Sequence, residues 1–167
     1  MVHVVVSANV DFSRFDFTLP DHLGGKFRLA DRRGKGPTIL IFYRGHWCPY
    51  CARYFVKKIQ PNLARLTAAG GMVLGIGPEP VHTASDFART HGLTFPLLCD
   101  FDGLVIQQFG VRNGFSAAQS FLPHPGTFIF DPDLQLRFRA VDRNFKKRTT
   151  IVTIFDALDA MRQPAAV

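Results

Sequence analysis

Cysteine, tryptophan and long apolar runs are all scarce in this chain of 167 residues, which has three cysteines and one tryptophan. No stretch approaches the roughly 20 apolar residues that a helix needs to cross a bilayer. The opening MVHVVVSANV also lacks the basic start of a secretory signal. We therefore expect a cytoplasmic protein that does not contact the membrane. Structural disulfides are rare in that compartment, so the cysteines are expected to be reduced, catalytic or metal-bound.

Acidic residues are fewer than basic ones, 13 against 20, which gives a net charge of +7. A basic chain can bind the phosphate backbone of nucleic acids without sequence preference. Here, however, the basic residues are dispersed, and no helix-turn-helix, zinc-finger or RNA-binding signature accompanies them. The charge therefore indicates a solvated basic surface more than a nucleic-acid site.

Apolar residues, 47% of the chain, follow an alternating strand and helix pattern. The runs TILIFY, MVLGIG and FPLLC are typical of buried strands, each followed by a helical stretch. TFIFD and QLRFRAV predict an antiparallel pair of strands before a closing helix. Nearer the N-terminus, HVVV at residues 3–6 predicts a short strand. Gly24 and Gly25 suit the turn of an N-terminal β-hairpin. The pattern predicts one α/β domain over residues 1–167, with a central mixed sheet covered by helices on both sides.

The segment YRGHWCPYC, residues 43–51, joins the first buried strand to a helix predicted from Pro49 to about residue 69. Proline is favoured at the first helical position, which makes Cys48 the N-cap and Cys51 the third helical residue. The cap position favours thiolate over thiol, so we expect Cys48 to be exposed, acidic and nucleophilic. Residues three apart share a helix face, so Cys51 can close a disulfide with Cys48.

Residues around the two cysteines are candidate supporting groups. Arg44 and His46 before the cap, and Arg53 after it, are expected to lower the thiol pKa through their positive charge. Trp47 either shields a disulfide or fills the strand–helix junction. Tyr50 either donates a hydrogen bond near a sulfur or lines the entry to the helix.

Two interpretations without redox chemistry compete with this one. Simple burial of both cysteines explains neither the proline nor the cap position. His46, Cys48 and Cys51 have the ligand types of a zinc site, but a structural site needs four ligands and the chain has no second CxxC. We therefore expect no metal and no other cofactor. A redox-inactive or zinc-bound binding module remains the non-enzymatic alternative.

Several ordered motifs carry a family resemblance. TILIFYRGHWCPYC, MVLGIG, TFPLLCDFDGLVIQQFGV and PHPGTFIFDPD together resemble the thioredoxin superfamily, specifically its peroxiredoxin-like branch, also called AhpC/TSA or redoxin. The resemblance covers residues 16–160 and implies a thioredoxin-like fold with its redox site at the head of the first long helix. It also implies a cis-proline at Pro125, with the backbone of His124 available to pair with an extended, disulfide-bearing substrate.

The peroxiredoxin motif Pro-x-x-x-Thr-x-x-Cys is only partly present. Cys51 occupies the position of the peroxide-attacking cysteine, whereas Arg44 replaces the proline and Cys48 the threonine. The arginine that peroxiredoxins place before their Gly/Ala-Thr-Phe strand corresponds to Pro125. Candidates to replace its guanidinium are Arg44, Arg137, Arg139 and Arg148, each more readily explained as a surface arginine.

We therefore predict a thiol oxidoreductase that cycles Cys48 and Cys51 between dithiol and disulfide. In the favoured reaction Cys48 attacks a disulfide of a protein or small molecule, Cys51 resolves the mixed disulfide, and an unidentified reductant restores the pair. The alternative is a thiol peroxidase, in which Cys51 attacks hydrogen peroxide or an alkyl hydroperoxide and Cys48 resolves. Cys99 is expected to be a small buried hydrophobe, and assembly into oligomers stays open.

Overall fold

Eight strands form two sheets in the computed structural model, which describes residues 2–5, 14–113 and 122–163. The strands are β1 (Val2–Val5), β2 (Thr18–Pro20), β3 (Lys26–Arg28), β4 (Thr38–Phe42), β5 (Met72–Gly77), β6 (Leu97–Cys99), β7 (Gly126–Phe130) and β8 (Leu136–Val141). The predicted hairpin is observed as β2 paired antiparallel with β3. The strand predicted at residues 3–6 begins one residue earlier, and residue 6 lies outside the described residues.

The larger sheet has six strands in the order β1-β8-β7-β4-β5-β6. β4, β5 and β6 are parallel, whereas β7 and β8 pair antiparallel with their neighbours, which confirms the predicted mixed sheet. β1 forms one edge of the sheet and pairs with β8, the last strand along the described chain. β4, from which the redox motif departs, therefore lies in the middle of the sheet.

Five α-helices accompany the strands: α1 (Pro49–Tyr54), α2 (Leu63–Leu66), α3 (Val81–His91), α4 (Leu104–Gln108) and α5 (Ile151–Arg162). The helix predicted from Pro49 to about residue 69 is observed as a run of helical turns that is not α-helical throughout. After α1 the backbone passes through a π-helical turn, Phe55–Ile59, and a 3-10 turn, Gln60–Asn62, before α2. Pro61 explains the break, because it has no N–H to donate to the carbonyl four residues earlier.

Two apolar cores cover the two faces of the sheet. Alternate residues of β4 point to opposite faces, and the whole strand is buried. Ile39 and Ile41 pack in a core that includes residues of α1, α3 and α5, whereas Leu40 and Phe42 pack with residues of α4 and of the hairpin. This confirms the predicted cover on both faces. Among the described residues, no helix has the length and apolar composition needed to cross a membrane.

Candidate redox site

The redox motif begins where the chain leaves β4 and enters α1. Cys48 is the N-cap of α1, with an extended backbone (φ −84°, ψ 109°), and Pro49 follows at the start of the helix. The turn before the helix is closed by a hydrogen bond of 3.1 Å from the Cys48 N–H to the Gly45 carbonyl. The helix start predicted from Pro49 is confirmed.

Both sulfurs of the motif are buried. The exposed fraction is 0% for Cys48 and 1% for Cys51, so the expectation of an exposed Cys48 is wrong. The guanidinium of Arg148 lies against them: its Nη2 is 3.0 Å from the Cys51 Sγ and 3.9 Å from the Cys48 Sγ. A cap residue is exposed only if nothing distant in sequence covers it, and here the segment after β8 does.

Two N–H donors point at the Cys51 sulfur. Besides the Arg148 guanidinium, the backbone N–H of Arg44 donates to the Cys51 Sγ at 3.4 Å. The Cys48 Sγ makes no full capping hydrogen bond, although the N–H of Cys51 lies close enough to favour its thiolate. Hydrogen bonds from N–H groups favour the charged form of a sulfur over the neutral thiol.

The two thiols share one proton. The hydrogen bond with the Cys51 thiol lowers the pKa of Cys48 to about 5, and the charges of Arg148 and Arg44 act in the same direction. The same bond, together with burial, raises the pKa of Cys51. In the absence of substrate the proton is therefore held by Cys51. The two N–H donors act in the opposite direction, because they stabilise a thiolate on the Cys51 sulfur. Because the sulfurs titrate as a unit, the lowered pKa belongs to the pair, which carries one negative charge at neutral pH.

The backbone around Arg148 holds its guanidinium in place. Its Nη1 donates to the carbonyls of Phe145 and Lys147 at 2.6 and 2.7 Å. The following residue is tied to α1, because the Tyr54 hydroxyl donates to the Thr149 carbonyl at 2.7 Å. These bonds fix an otherwise long and flexible side chain, so less conformational entropy is lost when it contacts the sulfurs.

Arg44 presents its backbone to the sulfurs and its guanidinium to aromatic rings. The guanidinium carbon lies 5.0 Å from the centre of the Trp47 ring and 4.7 Å from that of Phe145. Phe145 also meets Tyr50 edge-on, with the ring centres 5.7 Å apart. Trp47 is half exposed, and its role as a shield of the disulfide or a filler of the strand–helix junction stays a prediction.

His46 does not face the sulfurs. Its ring Nδ1 pairs with Glu79, and its backbone N–H donates to the same carboxylate oxygen at 2.7 Å. The expectation that His46 supplies positive charge to the thiols is therefore wrong. Glu79 is buried and also accepts a hydrogen bond of 3.2 Å from the Tyr43 hydroxyl, so it anchors the turn before the cap.

Pro125 and His124 differ from what the resemblance implied. The described residues contain no cis peptide bond, so Pro125 is trans. The His124 N–H donates to the Val111 carbonyl at 2.7 Å, and the Pro125 carbonyl accepts from Asp142 at 2.9 Å. These groups are therefore not free to pair with a substrate strand. Burial lowers the pKa of His124, and the nearby charges of Arg143 and Arg44 lower it further.

A zinc site lacks its ligands in the part of the chain that the structure describes. No group of three or more His, Cys, Asp or Glu side chains comes together there. The ring of His46, the nearest candidate partner in sequence, is paired with Glu79 instead of turned to the sulfurs. The site is thus defined by two thiols, one guanidinium and backbone N–H groups.

The sequence is similar to a known family and to several named proteins. Residues 13–139 match the AhpC/TSA family. "Putative peroxiredoxin Rv1608c" of Mycobacterium tuberculosis is 32% identical over 120 residues, covering 71% of this chain and 75% of that protein. The thiol-disulfide oxidoreductase ResA of Geobacillus thermodenitrificans is 31% identical over 118 residues, or 70% of this chain and 60% of ResA.

Solved structures agree with these sequence relatives. The crystal structure of peroxidoxin BcpB from Mycobacterium tuberculosis superimposes with a TM-score of 0.74 at 26% identity, covering 88% of this chain and 92% of that one. Peroxiredoxin Q of Xanthomonas campestris shares the fold, with a TM-score of 0.75 at 20% identity and coverage of 95% and 98%.

A thioredoxin-like sheet with a cysteine pair at the head of its first helix defines a thiol oxidoreductase of the peroxiredoxin-like kind. The chain belongs to the AhpC/TSA family.

The residues that hold the site together were harder to find than the cysteines. Arg148 was one of four candidate arginines and was expected at the surface, and Tyr54, Glu79 and Phe145 carried no sequence signal. Arg148 and Cys51 are separated by 97 residues in sequence. Only knowledge of which loop returns to α1 could have selected Arg148 from the other arginines.

Proposed function

We propose that this protein is a thiol peroxidase in which Cys51 attacks the peroxide and Cys48 resolves. The observation that carries the proposal is the pair of N–H donors on the Cys51 Sγ, Arg148 at 3.0 Å and the Arg44 backbone at 3.4 Å. Donors already aimed at a reacting atom can stabilise the charge that develops there. This departs from the favoured sequence prediction of disulfide exchange, and the named peroxiredoxin relatives support it.

In the first step the Cys51 thiolate forms a bond to one peroxide oxygen and the O–O bond breaks. The sulfur is oxidised to a sulfenic acid, the peroxide is reduced, and the departing oxygen takes up a proton to leave as water or an alcohol. Movement of the shared proton from Cys51 to Cys48 supplies the Cys51 thiolate. The Arg148 guanidinium, 3.0 Å from the Cys51 Sγ, is expected to stabilise the negative charge on the sulfur and on the departing oxygen.

In the second step the Cys48 sulfur attacks the Cys51 sulfenic acid. An S–S bond forms, the S–O bond breaks, and the hydroxyl leaves as water after taking the Cys48 proton. Residues at the cap and three positions later are close enough for this bond. A dithiol reductant then returns two electrons and two protons to the pair by thiol–disulfide exchange.

Burial of the sulfurs favours a small oxidant over a protein disulfide. A disulfide on another protein must align three sulfurs for exchange, and neither Cys48 nor Cys51 presents appreciable surface. Hydrogen peroxide or a small alkyl hydroperoxide needs room for only a few atoms. Disulfide exchange through Cys48, as expected from the cap, remains the second candidate because ResA is among the relatives and the pKa of Cys48 is lowered to about 5.

The assignment of roles is tested by separate serine variants of the two cysteines. Cys51→Ser is expected to abolish hydrogen peroxide consumption with dithiothreitol as reductant. Cys48→Ser is expected to be oxidised once at Cys51 and to yield a sulfenic acid that a cyclic dione reagent traps. Mass spectrometry of peptides locates the adduct.

Cys99→Ser serves as the matched control, because it removes a third buried thiol and should leave both results unchanged. A dione adduct on Cys48 in Cys51→Ser, formed with undiminished peroxide consumption, would reverse the roles. Failure of every form to consume peroxide, with rapid reduction of a protein disulfide by the unmodified chain, would support disulfide exchange instead.

A further inference from the structure

Three partly exposed aromatic side chains lie close to the buried cysteines. Trp47 and Tyr50 flank Cys48 and Pro49 in sequence, and Phe145 meets the Tyr50 ring. The three side chains are 50%, 38% and 42% exposed, whereas Cys48 and Cys51 have almost no accessible surface. Rings at the surface next to buried sulfurs are candidates for selecting substrates by size.

Phe145 contacts both sides of the redox motif. Its ring lies 4.7 Å from the guanidinium carbon of Arg44, which precedes Cys48, and 5.7 Å from the ring centre of Tyr50, which follows it. The Phe145 ring thus bridges a side chain before the cap and a side chain after it.

The backbone of Phe145 is joined to the guanidinium that contacts the sulfurs. Its carbonyl accepts a hydrogen bond of 2.6 Å from Arg148 Nη1, while Nη2 of the same side chain meets the Cys51 Sγ. Ring and guanidinium therefore belong to one short segment, residues 145–148. Removing the ring alone leaves the carbonyl and its bond to Arg148 in place.

We propose that Phe145 is a specificity-determining residue, whose ring admits small oxidants to the Cys48–Cys51 pair and excludes bulky ones. The inference rests on the proposed reactivity of this pair. The ring is held by cation–π contacts with Arg44 and Lys146 and by one edge-on contact with Tyr50, each able to shift an opening equilibrium several-fold. We call the Phe145 ring the cover of the site. Displacing it requires only a small free energy of local opening, yet the closed position is the more populated one.

Alkylation by reagents of different size tests the cover without any peroxide. Reduced protein is labelled with iodoacetamide and, separately, with a maleimide that carries a large polyethylene glycol chain; mass spectrometry locates the labelled cysteine. The measured quantity is the ratio of the large-reagent rate to the small-reagent rate. For Phe145→Ala we expect this ratio to rise about tenfold over the unmodified chain, because the ring contacts with Arg44, Tyr50 and Lys146 are lost.

Two further variants are controls for the effect of removing the Phe145 ring. Phe145→Tyr keeps the ring and should leave the ratio near that of the unmodified chain. Phe101→Ala removes a ring that is 70% exposed in the turn after β6, two strands from β4, and should also leave it unchanged. An equal rise in both rates for Phe145→Ala, or no rise in either, would overturn the proposal.

The outcome is separable from that of the peroxidase proposal. If Cys51 proves not to attack peroxide, the alkylation ratio still reports whether Phe145 selects by size. If the dione reagent traps a Cys51 sulfenic acid while the ratio is unchanged in Phe145→Ala, only the cover is overturned.

Discussion

The Cys48–Cys51 pair and the single thiol of Cys99 are all buried at the carboxyl ends of parallel strands, but their pKa values are shifted in opposite directions. Cys48 and Cys51 follow β4, and Cys99 ends β6 with an exposed fraction of 4%. Burial, with the charges of Glu79 and Asp21 behind it, raises the pKa of Cys99 to about 11. The pKa of Cys48 is lowered to about 5 by its bond with Cys51 and by the charges of Arg148 and Arg44.

Burial alone would have made all three thiols inert, because a thiolate loses its hydration when it is taken from water. What differs is the set of neighbours: a second thiol and two arginines at one position, two carboxylates at the other. The acidity of a buried sulfur in this fold thus depends on its neighbours. For Cys48 the hydrogen bond with Cys51 is the largest cause of the lowered pKa, and the positive charges of Arg148 and Arg44 add to it.

The largest expected effect is a difference between the Cys48–Cys51 pair and Cys99 in the pH at which each begins to react with iodoacetamide. A thiolate forms as the pH rises through its pKa, so labelling of the pair should rise through about pH 5 and level off by neutral pH. Labelling of Cys99 should rise only near pH 11. At pH 7 the thiolate fraction of Cys99 is then only about 10⁻⁴. If labelling of the pair and of Cys99 both rose near about pH 9, the ordinary pKa range of a free thiol, the predicted difference in pKa between them would be contradicted.

Replacing the arginine should make the pair behave more like Cys99. In Arg148→Met we expect the pH of half-maximal labelling of the pair to rise and peroxide consumption to fall by about 100-fold, the usual cost of one lost donor at a developing charge. Arg53→Met is the control, because Arg53 is exposed in α1 and the charges that lower the pKa of Cys48 are those of Arg148 and Arg44 instead. A change below twofold in Arg148→Met would show that the guanidinium is not the source of the acidity.

Loosening the segment that carries Arg148 should have a smaller effect. Tyr54→Phe removes the hydroxyl that donates to the Thr149 carbonyl. We expect a loss of about 1 kcal/mol in the free energy of unfolding, measured with urea, and a several-fold slower reaction with peroxide. Tyr50→Phe keeps the ring that meets Phe145 and is the matched control. Equal behaviour of the two variants would contradict this role of Tyr54.

The smallest expected effect concerns Cys99. Glu79→Gln removes one of the two negative charges that raise its pKa, so half-maximal alkylation of Cys99 should move to lower pH by less than about one pH unit, because burial is the larger cause. Labelling of the Cys48–Cys51 pair is followed in the same samples and should move less than that of Cys99, because the substitution keeps an oxygen that can accept the hydrogen bond from the His46 N–H. A larger displacement for the pair than for Cys99 would contradict this assignment.

Local patterns in the sequence predicted the order of elements and the helix start at the cap. Pro49 places the cap through its own chemistry, and alternating buried strands predict the sheet without knowledge of distant contacts. The order β1-β8 at the sheet edge, the burial of Cys48 and the partner of His46 depend on contacts between residues far apart in sequence. No local pattern carries those contacts.

Pro125 shows how a resemblance can mislead in detail. The sequence around it matches its family well enough to predict the strand that follows, β7, yet the peptide is trans. The backbone groups that a substrate strand would use are bonded to Val111 and Asp142. Arg148 lies in the segment that follows β8, and the family pattern did not distinguish it from the other three candidate arginines.

The central claim is that Cys51 is the sulfur that reacts with peroxide. The chain's single tryptophan, Trp47, directly precedes the cap and packs on Arg44, so its fluorescence should report oxidation of the pair. The decisive measurement is rapid mixing of reduced protein with hydrogen peroxide at pH 7. The account predicts a fast fluorescence change in Cys48→Ser and none in Cys51→Ser. A fast change that persists in Cys51→Ser and disappears in Cys48→Ser would contradict it.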